Sequence, residues 1–433
     1  MNGGCLKGSD KYTTLANIIT DVDYPWHGTA AMVIIILLSI FTSAYINIVA
    51  LAICAVRIIR HGPVAFGTDY CILTTVSLLF QLKGIVFFPY VCLFAAIWFA
   101  CTQRFKLDAV AVILVIQFAY LLTRMNSGYN NLVLCFSQLV LLKGIIRGQR
   151  RENAILSIKA FLLALFLSSL YAYIFRNTYQ LRSLRGAEVP AYWLSSYLRF
   201  NGLFCDPNYY MAMLVAALTL LISLRLKSEI SRPYFAVMFM GFTVFGLLTY
   251  SKSFLLLIAL ICVVYIALLF GKRKYMLAFM IVAAAAVAVG ISLQIKGSPL
   301  QIIFYRFSTA NNIDDLTTGR SELHIRYLKA ISESAKSIIF GYGLDAPFLG
   351  LSPHNLYLEI LYYLGIGGLL IFLAEIVGFV RMVHTETSGV RKYSKLMTYY
   401  PLLLIGVLFL SLAGLFSHST YVMIFLALMS MLI

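Results

Sequence analysis

Charge is what this chain has least of. Of its 433 residues only 12% are Asp, Glu, Lys or Arg, and 17 acidic residues face 34 basic ones. Soluble domains carry about a quarter charged residues, so a water-facing surface of ordinary size is excluded. Cysteine occurs at positions 5, 54, 71, 92, 101, 135, 205 and 262, with no CxxC pair and no histidine-rich neighbourhood. That excludes a zinc ribbon and a disulfide framework and leaves small buried hydrophobes. A Walker loop and a helix-borne HExxH are also missing, so nucleotide hydrolysis and zinc proteolysis have no carrier. Fixed-period repeats and low-complexity tracts are absent, and residues 1–433 read as one domain.

What the chain has is apolar length. Hydrophobic residues make up 61% and aromatics 14%, more than one soluble core hides. The apolar runs are continuous, and crossing about 30 Å of hydrocarbon takes about 20 helical residues. Helices rather than barrel strands are therefore expected. Candidate spans fall at 30–56, 67–82, 84–102, 108–124, 130–146, 155–176, 208–226, 233–250, 253–271, 275–293, 353–380, 396–414 and 417–433. The first is long enough to be a hairpin of two short helices, which gives a range of about 12–14 spans. Residues 1–29 are polar and lead into a run too long for a signal-peptide core, so no segment is expected to be removed.

The net charge of +17 is a topology signal. Basic residues collect in "RIIRHG" (57–62), "QRFKLD" (103–108), "KGIIRGQRRE" (143–152), "RLKSEISR" (225–232), "GKRK" (271–274) and "RMVHTETSGVRKYSK" (381–395), which together hold 18 basic and 4 acidic residues. Threading the spans in order puts all six on one side, the positive-inside pattern of cytoplasmic loops. A lipid bilayer, not nucleic acid, is the partner this implies.

Two long segments then lie outside, residues 177–207 and 294–352. Loops of that length in a compact membrane protein are functional or disordered, and their apolar content argues against disorder. Within the second, "GRSELHIRYLKAISESAKSII" (319–339) has helical periodicity. Leu323, Tyr327, Ile331, Ala335 and Ile338 form an apolar stripe opposite Glu322, Arg326, Lys329, Glu333 and Lys336, with Glu322/Arg326 and Lys329/Glu333 at pairing distance. Arg320 and His324 fall with the apolar stripe, toward the protein.

Arg320 opens that helix, where backbone amides and the dipole favour anions and a guanidinium adds a fork for phosphate; alternatively it is a solvated loop arginine. In "SPHNLYLEILYYLGIGG" (352–368), Ser352 suits a cap, Pro353 the first turn and His354 the start of a helix. A helix start disfavours imidazolium, leaving a neutral ring able to accept a proton; alternatively His354 only anchors the interface. Asn355 and Tyr362 share a helical face with Glu359, one turn deeper, and Glu359 is the second choice of base, or a partner of an arginine or of Tyr357 or Tyr362. In the first outer loop, Arg199 lies beside the membrane where fixed cations are few, and "DPN" (206–208) reads as a helix start capped by Asp206. The substrate these groups suit arrives already activated and carries an anion at the membrane boundary, as a lipid pyrophosphate does.

The motifs "RFNGLFCDPNYY" (199–210), "TTGRSELHIRYLKAI…IIFGYGL" (317–344) and "SPHNLYLEILYYLGIGGLLIFL" (352–373), in this order, resemble the bacterial O-antigen polymerase and O-antigen ligase superfamily. The resemblance covers roughly residues 197–380 by motif. It implies an all-α GT-C-like glycosyltransferase in the bacterial cytoplasmic (inner) membrane, multi-pass, with its active site on the extracytoplasmic side. Such enzymes move a glycan from undecaprenyl pyrophosphate to an acceptor hydroxyl with inversion, with neither metal nor cofactor. The family's arginines fall on Arg199 and Arg320, which would hold the pyrophosphate, and its histidine on His354, which would orient or deprotonate the acceptor. Two departures stand out: His324 follows Leu323 where relatives resemble "LW", making it a second possible base, and "IIFGYG" lacks a proline. A polymerase of O-antigen, capsule or exopolysaccharide repeat units, with a possible chain-length regulator as partner, is favoured over a ligase acting on lipid A-core or a protein O-oligosaccharyltransferase. A lipid-linked oligosaccharide flippase is the rival from another class; it would place ionisable groups near the midplane and show paired broken helices, and of the apolar-flanked charges Lys83, Lys159 and Glu375, span ends explain most.

Overall fold

A computed structural model describes residues 26–102, 108–148, 151–184, 187–191, 194–271, 273–310, 312, 317, 319–386, 395–412, 414–415 and 417–433. Cys5, most of residues 1–29 and parts of the basic loops lie outside them.

The chain is a polytopic helical membrane protein. The expected 30–56 span is two helices, α1 (Trp26–Leu38) and, after a 3-10 turn at Ala44–Ile46, α2 (Asn47–Val76), so the hairpin alternative holds. Gly62, at φ 69° and ψ −163°, breaks α2. The strands β1 (Gln81–Leu82) and β2 (Ile85–Val86) then form a small hairpin. Next come α3 (Phe88–Thr102), α4 (Ala109–Leu122), α5 (Tyr129–Gly148), α6 (Arg151–Ile174) and the short α7 (Tyr179–Ser183). An antiparallel pair follows, β3 (Ala187–Ala191) and β4 (Leu194–Gly202). The bundle resumes with α8 (Pro207–Leu226), α9 (Arg232–Leu247), α10 (Lys252–Gly271) and α11 (Tyr275–Gln294). The long segment 294–352 carries α12 (Pro299–Ser308), α13 (Arg320–Ser332) and α14 (Ala335–Phe340), before α15 (Leu356–Glu386), α16 (Lys395–Leu408) and α17 (His418–Leu432).

Among the described residues, seven helices are long and apolar enough to cross a membrane: Ala44–Gly62, α5, α6, α8, α10, α11 and Leu356–Thr385. Six shorter apolar helices complete the pattern: α1, α3, α4, α9, Tyr399–Leu408 and α17. The all-α expectation thus holds for the bundle, while the two hairpins correct it outside the bundle. Of these seven helices α8 is the most fully buried and α11 the most exposed, so α8 lies at the centre and α11 at the rim. The centre is shared by α17, whose residues Ser419–Leu432 are all buried.

Ion pairs tie together the loops that the charge pattern put on one side. Asp108 meets Lys143 at 3.0 Å and Arg147 at 2.7 Å, and Arg151 meets Glu229 at 2.5 Å. Beyond the other end of α4, Arg124 donates to the Phe340 and Gly341 carbonyls at 2.6 and 2.9 Å. The basic loops around Asp108, Arg147 and Glu229 therefore lie at the opposite end of α4 from residues 340–341.

The expected helix at 319–339 is two helices. Ser334 and Ser337 form a capping box that ends α13 and starts α14, because serine hydroxyls compete for backbone groups. Leu323, Tyr327 and Ile331 are buried as expected, but the reset leaves Ala335 exposed and buries Ser337. Arg326 and Glu322 pair at 2.6 Å on the exposed face, worth about 0.3–0.5 kcal/mol. Glu333 accepts instead from the Tyr342 hydroxyl, at 2.8 Å.

The segment after α14 docks into a gap in α15. Gly365, at φ 66° and ψ −167°, breaks that helix, and the carbonyls freed by the break all find donors. Tyr342 N–H donates to Tyr362 O at 2.8 Å, Gly343 N–H to Tyr363 O at 2.9 Å, and the Tyr120 hydroxyl to Leu364 O at 2.7 Å. Broken backbone is tolerated in a membrane only when satisfied this way.

Candidate functional site

Four segments meet at the start of α15: the first turns of α13, the turn at 352–355, the start of α8 and the loop between α16 and α17. Arg320 Nη1 donates to Ser411 O at 3.3 Å. Leu356 N–H donates to Phe409 O at 2.9 Å, and the Tyr327 hydroxyl donates to Leu351 O at 2.8 Å. The Ser321 amide in the first turn of α13 is taken by Thr317 Oγ1 at 3.1 Å, so not every amide there is open to an anion.

His354 stands at the centre, in a conformation the sequence reading did not anticipate. Its φ is +48°, left-handed backbone that a residue with a Cβ adopts at a cost of about 1–2 kcal/mol. The helix starts two residues later than expected, at Leu356. Asn355 takes the capping role assigned to Ser352, its Oδ1 accepting from Leu358 N–H at 3.1 Å. Asparagine caps well, and the Pro353 carbonyl is engaged elsewhere, by His324 Nε2 at 2.8 Å. Burial pushes the His354 imidazole below the ordinary histidine range; the Arg320 charge and His324 add to this and Asp206 opposes it. The shift comes first from burial and then from a neighbouring cation, not from the helix dipole that the sequence suggested. Arg320, His324 and Asp206, singled out separately in the sequence, are brought together around it.

The other candidates divide. Asp206 caps α8, its Oδ1 accepting from Asn208 N–H at 2.6 Å, as its turn chemistry suggested. Glu359 is buried with both oxygens engaged: Oε2 accepts from Gly414 N–H at 2.6 Å and Oε1 from Leu415 N–H at 3.3 Å. That geometry makes it an anchor for the α16–α17 loop. The tyrosines proposed as its partners turn elsewhere, Tyr357 to Gly406 O and Tyr362 to Pro347 O, each at 3.0 Å. Arg199 lies on β4, its Nε donating to Thr249 O at 2.8 Å and its Nη2 to Asn208 Oδ1 at 3.4 Å. It flanks the start of α8 through Asn208, whereas Asp206 acts on His354.

Sequence reasoning missed two further cations near Arg199. Arg306 donates to Tyr250 O at 2.7 Å, and Lys252 lies 5.3 Å from the Phe307 ring centroid. With Arg199 they surround the Thr249–Ser251 turn. The available signal was that both fall outside the six basic loops. Among the described residues no three His, Cys, Asp or Glu side chains converge as metal ligands.

Fold and site together define a multi-pass helical membrane protein with a histidine-arginine cluster at one end of its bundle. Comparison of the chain with family models, curated proteins and solved structures finds no match.

Proposed function

We propose that the protein is a GT-C-like glycosyltransferase of the bacterial cytoplasmic membrane that polymerises undecaprenyl-pyrophosphate-linked oligosaccharide repeat units at the outer face. The observation that carries the reading is the convergence of Arg320, Asp206 and His324 on His354 in a left-handed turn. A residue held in costly backbone beside a cation is the arrangement expected of a site and not of a lipid anchor. In the reaction, the acceptor hydroxyl oxygen attacks the anomeric carbon of the lipid-linked glycan, and the bond to the pyrophosphate oxygen breaks. The hydroxyl proton passes to His354, and the negative charge leaves on the lipid pyrophosphate. Arg320 stabilises that charge, with Arg199 on the far flank of α8, an electrostatic role of the oxyanion-hole kind. Ligation to lipid A-core or to a protein hydroxyl uses the same chemistry with another acceptor. Purified protein given lipid-linked repeat units alone yields a ladder of products under this reading, and a single transfer that requires an added acceptor under the ligase reading.

A second reading has its own support. Gly365 breaks α15 inside its apolar span. Glu375 is buried within the same helix, and Gln117 Nε2 donates to its Oε2 at 2.7 Å. A broken helix and an intramembrane carboxylate are features of a transporter. Translocation of a fluorescent lipid-linked oligosaccharide across proteoliposomes, lost in E375Q, favours the flippase; transfer without translocation favours the enzyme.

A further inference from the structure

His324 entered as a second possible base, and its hydrogen bond argues for a different role. Pro353 O is a carbonyl and only accepts, so the Nε2 that meets it at 2.8 Å carries a proton. Nε2 is then a donor and is not available to take a proton from substrate. The bond spans from α13 to the turn preceding α15, and its acceptor belongs to the peptide linking Pro353 to His354. That peptide sets the backbone of His354, whose φ of +48° is not a rest state for a residue with a side chain. Proline supplies no N–H to stabilise the turn from within, Asn355 is occupied with capping α15, and Pro353 itself is buried. Among the described residues, the side chain on the Pro353 carbonyl is His324.

We propose that His324 is a positioning residue whose Nε2–H holds the Pro353 carbonyl and, through it, the left-handed turn that presents His354 to the acceptor hydroxyl. This rests on the glycosyltransferase reading for its consequence but not for its geometry. The groups acting on His354 are Arg320 from α13, His324 from the same helix and Asp206 from the start of α8. Removing the His324 ring removes one of the two neighbours that disfavour imidazolium, so His354 then titrates at higher pH.

The test compares H324Q and H324M. Gln and Met are close in volume, and Gln Nε2 reaches as far along the side chain as His Nε2, so the pair differs in the N–H donor. Diethyl pyrocarbonate acylates neutral imidazole, and mass mapping of the peptide containing His354 gives rate against pH without any turnover. In H324M the His354 rate changes severalfold and its midpoint moves upward; in H324Q the rate returns toward wild type. In a transfer assay, kcat falls in H324M by on the order of 10- to 100-fold, the scale of a misplaced catalytic group, with KM for the lipid-linked donor little changed, and H324Q recovers most of it. Identical His354 acylation in wild type and H324M overturns the proposal, whatever reaction the protein performs. A wild type that acylates as described but transfers nothing overturns the functional reading instead.

Discussion

Gly341 and Gly365 lie backbone against backbone across the gap in α15. A Cβ on Gly341 would stand 2.4 Å from the Tyr363 carbonyl carbon, and one on Gly365 2.4 Å from the Ile339 oxygen. Both have positive φ, 68° and 66°. Each is therefore constrained twice, by dihedral and by space, and the obstacle is main chain that cannot rotate away. This is how "IIFGYG" and "LGIGG" become one piece of structure.

The first prediction follows directly. Gly350, with φ 95° and nothing within 4 Å of an added Cβ, serves as a control in which only the dihedral is penalised. G350A is expected to cost about 1 kcal/mol, and G365A about 3 kcal/mol or more, because overpacking adds to the strain. Thermal melting of the purified protein in detergent measures the difference; equal losses would contradict the backbone contact.

Much of this architecture was legible. Apolar run length located every helix of the bundle, and the 27-residue first run announced its own division. Charge put the basic loops on one side, and the Asp108 and Glu229 ion pairs join them. What periodicity could not show was where helices break. Gly62 closes the basic stretch 57–62 that already separates two spans, but Gly365 sits in uninterrupted apolar sequence, and only the partner packed against it reveals why that helix stops. In the sequence Glu359 stays open between several roles for a related reason. A carboxylate at that depth has the same appearance whether it faces substrate or two backbone amides, and the Gly414 and Leu415 amides come from a loop 55 and 56 residues further along the chain.

The pH dependence has a defined sign. Protonation of His354 removes the base, so activity falls on the acid side through a midpoint held below the ordinary histidine range by burial and Arg320. R320A removes a cation, imidazolium becomes easier to form, and the acid limb moves to higher pH. D206N removes an opposing anion while keeping a good helix cap, and the limb moves to lower pH. Profiles of kcat/KM check both shifts; movement in the same direction would contradict the assignment.

Glu359 separates anchoring from base catalysis. In E359Q one of the two amide bonds is lost, at about 1–3 kcal/mol, so the melting temperature drops while transfer is reduced yet retained. H354Q is expected to leave the melting temperature near wild type and remove transfer. The reverse pattern would make Glu359 the base.

Arg199 and Arg320 differ in what else they hold. Arg199 is buried against Thr249 O, and R199A leaves that carbonyl short of its donor, so both stability and transfer fall. Arg320 is half-exposed, and R320A is expected to lower transfer with a smaller change in melting temperature. Parallel melting and transfer assays on the two variants distinguish them.

The measurement closest to the central claim is a size-resolved product assay with lipid-linked repeat units as sole substrate, run on wild type, R320A and H354A. A ladder from the wild type that H354A loses and R320A sharply shortens is the result this account predicts. A ladder that survives both substitutions would contradict it.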